Sequence, residues 1–129
     1  MDPQQEIFTA ILMALRRSPY GDRVYDGQLP PEGTPYPFIY LADTQVIDEP
    51  NKGGVFGRVI QTIHVYSNDT SQRGTTSRFA LAVKNICRQI EATPNFTCEA
   101  TNISQHILND NTTDKPLLHV VLDVEYRFS

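Results

Sequence analysis

Three histidines, His64, His106 and His119, are the side chains of this chain best suited to proton transfer or metal binding. All three fall in segments whose composition predicts β-strands. If the second predicted hairpin turns near residue 112, His106 and His119 come close to being cross-strand partners, and two imidazoles at that separation could share a metal ion. Because no third ligand follows at a defined spacing, we interpret all three as exposed side chains of a sheet.

Clustered carboxylates offer a second kind of chemistry. Asp43, Asp48 and Glu49 lie near the first predicted hairpin, and Asp123 shares a strand face with Glu125. Paired carboxylates carry out acid and base catalysis in glycosidases, but similar pairs occur on most acidic surfaces. We interpret these groups as solvated charges.

The sequence shows no nucleophile motif and no phosphate-binding loop. Cys87 lies on the apolar stripe of a predicted helix, where its thiol stays protonated and inert. No Gly-X-Ser-X-Gly elbow is present, and Gly53, Gly54 and Gly57 lack the lysine that follows a phosphate-binding loop. We therefore predict no catalytic residue, no cofactor and no metal site, and we expect a protein that is not an enzyme.

Length and composition predict one globular domain over residues 1–129. No apolar run approaches the roughly 18 residues needed to cross a membrane, so we expect no membrane partner. The net charge of −4 argues against a protein that grips nucleic acid, because such binding depends on lysine and arginine contacts with phosphates. The basic residues also appear scattered along the sequence.

Hydrophobic periodicity predicts two helices. The first covers residues 2–17, with Asp2 as its cap and Pro3 in its first turn. The second lies between residues 70 and 93; its first ordered turn follows Gly74, and Pro94 ends it. Both helices carry an apolar stripe that needs a partner layer.

Four segments have the composition of strands, at 38–47, 55–66, 96–108 and 117–128. Polar turn-forming segments at 48–54 and 109–116 join them into two hairpins. The last strand alternates, with one face apolar from Leu118 to Phe128. The predicted fold class is therefore α+β, a four-stranded mainly antiparallel sheet with two helices packed on one face.

A proline- and glycine-rich segment from Val24 to Leu41 connects the first helix to the first predicted strand. Its prolines restrict the backbone, so we expect a shaped connector rather than a flexible one. Several tyrosines give this region an aromatic character, which suits either a partner-facing surface or attachment of the loop to the sheet. Both interpretations remain open at the level of sequence.

The order and spacing of these segments resemble the small tail completion or tail-to-head joining proteins, also called tail terminators, of long-tailed bacteriophages and prophages. The resemblance runs over nearly the whole chain. After the first helix it is carried by Arg23-Val24-Tyr25, by Tyr36-Pro37-Phe38-Ile39-Tyr40-Leu41, by Thr62-Ile63-His64-Val65-Tyr66-Ser67, and by the last strand.

The resemblance implies a structural virion protein at the head-proximal end of the tail, assembled in the cytoplasm of the host bacterium. Such subunits form a ring, thought to be hexameric, that caps the tail tube protein and joins it to the head connector protein, while DNA passes through the lumen without specific binding. A ring requires a heterologous interface, for which the hairpin tips are natural arms. The candidate interface residues are Asp48, Glu49, Pro50, Asn51, Lys52, Tyr36, Asp110 and Asp114.

Two other functions use the same sequence features. An adaptor subunit of a phage-like contractile injection or secretion device would have the same fold. A small α+β enzyme or metal-binding protein would use His106 and His119.

Overall fold

The computed structural model describes residues 2–51, 54–68, 73–110 and 117–129. Along the chain the elements are α1 (Pro3–Arg17), a 3-10 turn (Gly21–Arg23), β1 (Val24–Asp26), β2 (Phe38–Asn51), β3 (Gly54–Ser67), α2 (Arg73–Arg88), β4 (Cys98–Asp110) and β5 (Leu117–Phe128). Within these ranges, neither helix has the length and apolar character that crossing a bilayer demands.

Helix α1 confirms the prediction for the start of the chain. The Asp2 carboxylate accepts a hydrogen bond of 3.2 Å from the Gln5 amide, and proline occupies the first turn. Four apolar side chains are buried by this helix against the sheet: Ile7, Ile11, Leu12 and Leu15. The helix ends at Arg17. The next residue, Ser18, has an extended backbone, and its amide donates to the Leu15 carbonyl.

The sheet has five strands in the order β1-β2-β3-β5-β4, and β1 runs parallel to β2 while the other pairs are antiparallel. The prediction of a four-stranded, mainly antiparallel sheet is therefore wrong, although the fold is still α+β. The missed strand, Val24–Asp26, is only three residues long and lies in the proline- and glycine-rich connector. It becomes a strand by pairing with Ile39–Leu41, a contact that local composition does not reveal.

The first hairpin is longer than predicted. Its ladder continues to the pair Asn51 and Gly54, so residues 48–51 belong to β2 and not to a polar tip. A bulge interrupts β2 between Leu41 and Thr44. The buried Gln61 amide donates to the backbone carbonyls of the two bulge residues at 3.2 Å each, which stabilises the bulge.

Helix α2 begins at Arg73 and ends at Arg88, earlier than the predicted end at Pro94. An isolated bridge between Ala92 and Thr97 follows it, so the chain has already turned toward β4 when it reaches the proline. The Tyr126 hydroxyl donates a buried hydrogen bond of 2.7 Å to the Cys87 carbonyl and joins the helix to β5.

Both helices cover one face of the sheet, as predicted. The alternation in β5 is confirmed, because its apolar side chains from Leu118 to Phe128 are buried under the helices. The opposite face of the sheet carries no helix among the described residues, and it is called the open face below. Polar, aromatic and imidazole side chains of β2, β3, β5 and β4 occupy it.

Candidate functional site

The structure pairs the histidines differently from the prediction. In the ladder between β4 and β5, His106 lies opposite Val121, and Leu108 lies opposite His119. His119 instead contacts His64 across the neighbouring ladder, with 2.5 Å between Nδ1 of His64 and Nε2 of His119. The expected pairing of His106 with His119 is wrong, because the hairpin register is shifted by two residues from the one assumed.

The two contacting imidazoles belong to an aromatic cluster at one end of the open face. The cluster consists of Tyr25, Tyr36, Phe38, Tyr40, Tyr66, His64 and His119. The Tyr66 ring stacks on His119 with 4.3 Å between centroids and on Phe38 with 5.1 Å. Ring contacts of this kind stabilise beyond the area they bury.

The aromatic cluster bears on the two interpretations of the tyrosines in the connector. The Tyr36 ring lies 5.3 Å from the Phe38 ring, and the Tyr25 ring meets Phe38 edge-on at 6.0 Å. The tyrosines therefore fasten the connector and β1 to the sheet. Both side chains are only half-buried, so they also form part of the molecular surface.

Burial lowers the pKa of His64, and the nearby carboxylates of Asp43 and Asp123 oppose that shift. A lowered pKa favours the neutral imidazole, which can share one proton with His119 in a hydrogen bond. Across the described ranges, no three His, Cys, Asp or Glu side chains are grouped as metal ligands would be. The geometry of the histidine pair is thus that of a hydrogen bond within the sheet.

Next to this cluster, the open face contains a shallow depression of about 410 Å³, called the acidic depression. Its lining includes three carboxylates, from Asp43, Asp123 and Glu125, and no basic side chain. Asp123 accepts a hydrogen bond of 2.6 Å from the Thr62 hydroxyl. Ile60 contributes apolar surface. Such a site suits a cationic group attached to an apolar stem.

Arg58 borders the acidic depression and partly balances its charge. Its Nη1 donates to the Glu125 carboxylate at 3.2 Å. Its Nε lies 3.2 Å from Glu49, yet it has no hydrogen-bond partner among the described residues, because the atoms are close without being aligned. Asp43 and Asp123 form no ion pair within the part of the chain that the structure describes.

The candidate interface residues divide between opposite ends of the sheet. Because Phe38 pairs with Tyr66, and Ser67 with Leu118, the two hairpin tips point in opposite directions. One end contains Asp48, Glu49, Pro50 and Asn51, and the other contains Tyr36 and Asp110. Lys52 and Asp114 lie outside the described residues.

A basic surface on α2 was missed by sequence reasoning. Residues 73–88 include no acidic residue, and Arg78, Lys84 and Arg88 lie around Leu81, which is 47% exposed. This surface is called the basic face. Arg73, at the start of the helix, donates to the Asn109 side chain of β4 at 3.4 Å. The signal that could have revealed the basic face is the run from residue 73 to 88, which contains four cations and no anion.

The two cysteines are buried free thiols, as predicted for Cys87. Burial raises the pKa of Cys87 to about 11 and also raises the pKa of Cys98. A thiol with such a pKa is protonated at neutral pH and does not act as a nucleophile. Both cysteines contribute to the packing of the core.

No protein-family model matches this chain, and no curated protein matches its sequence. Among solved structures, the fold is similar to a chain of the virion of a native gene transfer agent particle, with a TM-score of 0.66 and 17% identity, covering 97% of this chain and 94% of that chain. A second solved protein, whose name states no function, has a TM-score of 0.58 and 13% identity over 99% of this chain and 97% of its own. At these identities the likeness shows a shared fold over nearly the full length of each chain.

Proposed function

We propose that this chain is a structural, non-enzymatic protein of a phage-like virion, located at the head-proximal end of the tail. The observation that carries the proposal is the similarity to a chain of a gene transfer agent virion over 97% of this chain. The sequence resemblance to tail completion proteins supports the finer position. In this role the protein forms a ring that caps the tail tube and joins it to the head connector.

The arrangement of ends and edges in the sheet suits a ring. A closed ring needs two different patches on each subunit, one of which meets the other patch on the neighbour. The two hairpins reach out at opposite ends, and the outer edge of β4 has no partner strand among the described residues. Unpaired edges and projecting hairpins give one subunit several unlike surfaces for its neighbours.

We further propose that the partners are other copies of this chain, in a ring that is hexameric, the tail tube protein and the head connector protein. The candidate interface residues at both ends of the sheet form these contacts. DNA passes through the lumen without specific binding, which the net charge of −4 supports because it disfavours retention of phosphates.

Deletion of the gene that encodes this chain tests the proposal. We expect heads and tails that no longer join, with joining restored by a plasmid copy. An epitope tag on the restored protein is expected at the junction of head and tail in electron micrographs. Joined particles that lack the protein, or a tag found elsewhere, would contradict it. Assembly of a headless contractile device instead of virions would favour the adaptor.

A further inference from the structure

Among the described residues, the basic face of α2 has no carboxylate partner that would balance its charge. Across the described ranges, Arg78 and Lys84 have no carboxylate within ion-pair distance, and Arg88 contacts only the side-chain oxygen of Asn85, at 3.2 Å. Leu81 lies among these cations and exposes 47% of its surface. An exposed apolar side chain beside unpaired cations offers a partner an apolar contact and a charge to complement at one place.

The acidic depression on the open face has the complementary composition. Its three carboxylates are accompanied by the apolar, half-buried Ile60, and no cation lines it. Only Glu125 of the three is engaged in an ion pair, with Arg58. The two unpaired carboxylates, Asp43 and Asp123, therefore remain available to cations from outside the molecule.

The dimensions of the two surfaces also correspond. Arg78 and Lys84 are six residues apart on α2, which places them about 9 Å apart along the helix axis and about 120° apart around it, one on each side of Leu81. Asp43 belongs to β2 and Asp123 to β5, and the single strand between them sets the strand axes about 9.5 Å apart. A helix laid across these strands can thus bring a cation to each carboxylate, with Leu81 above Thr62, the residue of β3 between them.

We propose that the basic face of α2 docks onto the acidic depression of a second copy of this chain, a contact that rests on the ring of the proposed function. The two patches differ and lie on opposite sides of the sheet, so the contact is heterologous and can propagate from copy to copy. Each subunit then covers the acidic depression of its neighbour with its own helix α2. Charge complementarity favours this occupant over nucleic acid, which would leave the acidic depression uncovered.

Charge reversal on each surface separately tests the contact. One variant carries Arg78→Glu with Lys84→Glu, and the other carries Asp43→Lys with Asp123→Lys. We expect each variant alone to raise the dissociation constant of self-association at least tenfold in sedimentation experiments, because like charges then face each other. Association of the wild-type protein is expected to weaken in 1 M salt, where charges are screened within about 3 Å.

Mixing the two variants gives the decisive result. The charge-reversed helix of one variant is complementary to the charge-reversed depression of the other, and their two unmodified surfaces are complementary as well. An equimolar mixture is therefore expected to recover association, with the two variants in alternating order. Arg17→Glu, an exposed reversal on α1, is the matched control and is expected to associate like the wild type. Circular dichroism establishes that each variant is folded.

Several results would overturn the inference. These are a wild-type protein that stays monomeric up to about 1 mM, reversed variants that associate normally, or a folded mixture that fails to recover. Saturable binding of duplex DNA that is lost in the helix variant, with association unchanged, would assign the basic face to nucleic acid. Head-to-tail joining in the gene deletion is measured separately, so the inference and the proposed function can fail independently.

Discussion

Among single residues, His64 makes the stability of the fold depend on pH. Burial lowers its pKa below the ordinary value, so the unfolded chain binds this proton more tightly than the folded protein does. The stability of the fold therefore decreases as pH falls through about 6.5, the pKa of an unfolded histidine, and the loss continues down to the lowered pKa of the folded state. Above that window, His64 remains neutral in both states.

We predict that His64→Gln flattens the dependence of unfolding free energy on pH between 7 and 5. The removed contribution is below about 1 kcal/mol, because solvent screens a half-buried side chain. Urea unfolding at several pH values measures it. His106→Gln is the matched control, since His106 is exposed on β4, which β5 separates from the strand of His64, and its profile is expected to match the wild type. Identical slopes for wild type and His64→Gln would contradict the prediction.

The buried hydroxyl of Tyr126 makes a second testable contribution to stability. Its ring is fully buried, and its hydroxyl is the donor to the Cys87 carbonyl at 2.7 Å. Tyr126→Phe keeps the ring but leaves the carbonyl without this donor, and we expect a loss of about 1–3 kcal/mol in the free energy of unfolding. Chemical denaturation measures the loss. Tyr25→Phe, at a half-buried ring, is expected to change stability by less than about 0.5 kcal/mol.

At the scale of the element, the sequence predicts best where the periodicity extends over many residues. Helix α1 and strand β5 were predicted nearly to their ends, because cap chemistry and alternation are both local signals. Strand β1 was missed because three residues carry no periodicity, and its conformation depends on pairing with β2. The extension of β2 to Asn51 was missed for the same reason, since polar residues form a strand there only through the opposite strand.

The candidate site was predicted less well than the fold. The sequence identified His119 and several acidic residues but could not supply the register that brings His64 to His119. The basic face depends on the helical arrangement of residues that look scattered when they are counted along the chain. Both features are tertiary, because they arise from the juxtaposition of elements and not from spacing within one element.

The Glu6 carboxylate on α1 holds the turn between α2 and β4. Glu6 accepts hydrogen bonds from the Asn95 amide at 2.9 Å, from the Asn95 side chain at 2.8 Å and from the Thr93 hydroxyl at 2.9 Å. The Asn95 side chain is the main cause of a lowered pKa for Glu6. A lowered carboxyl pKa means that these bonds stabilise the fold above the ordinary pKa of the group and are lost as pH falls through the lowered one.

We therefore expect Glu6→Gln to weaken this connection without unfolding the protein. The amide of Asn95 is expected to exchange its hydrogen faster, because a neutral amide oxygen accepts more weakly than a carboxylate. Hydrogen exchange followed by NMR measures this. Glu99→Gln, at an exposed position on β4, serves as the control. Equal exchange rates at Asn95 in the wild type and Glu6→Gln would show that the carboxylate does not hold the turn.

For the whole molecule, the separation of charge matters more than its total. The net charge of −4 describes neither side of the protein, because the outward side of α2 is basic and the acidic depression lies on the open face beyond the sheet. A layered molecule with unlike sides and with hairpins at opposite ends is suited to asymmetric contacts. The proposed ring would use the sides for packing and the ends as arms.

The arm of the first hairpin can be removed while the body of the sheet is kept. Because Glu49 pairs with Phe56, replacing residues 50–55 by Asn-Gly closes the strands with a two-residue turn. We expect the shortened protein to keep its circular dichroism spectrum and to change in unfolding free energy by less than about 1 kcal/mol, because the core lies beneath the remaining ladder. Its incorporation into particles, measured by quantitative mass spectrometry of purified virions, is expected to fall at least tenfold when it competes with wild-type protein, since a subunit without the arm loses contacts to its neighbours. The exposed substitution Arg17→Glu on α1 is the control and is expected to be incorporated normally, whereas equal incorporation of the shortened protein would exclude this hairpin as an assembly arm.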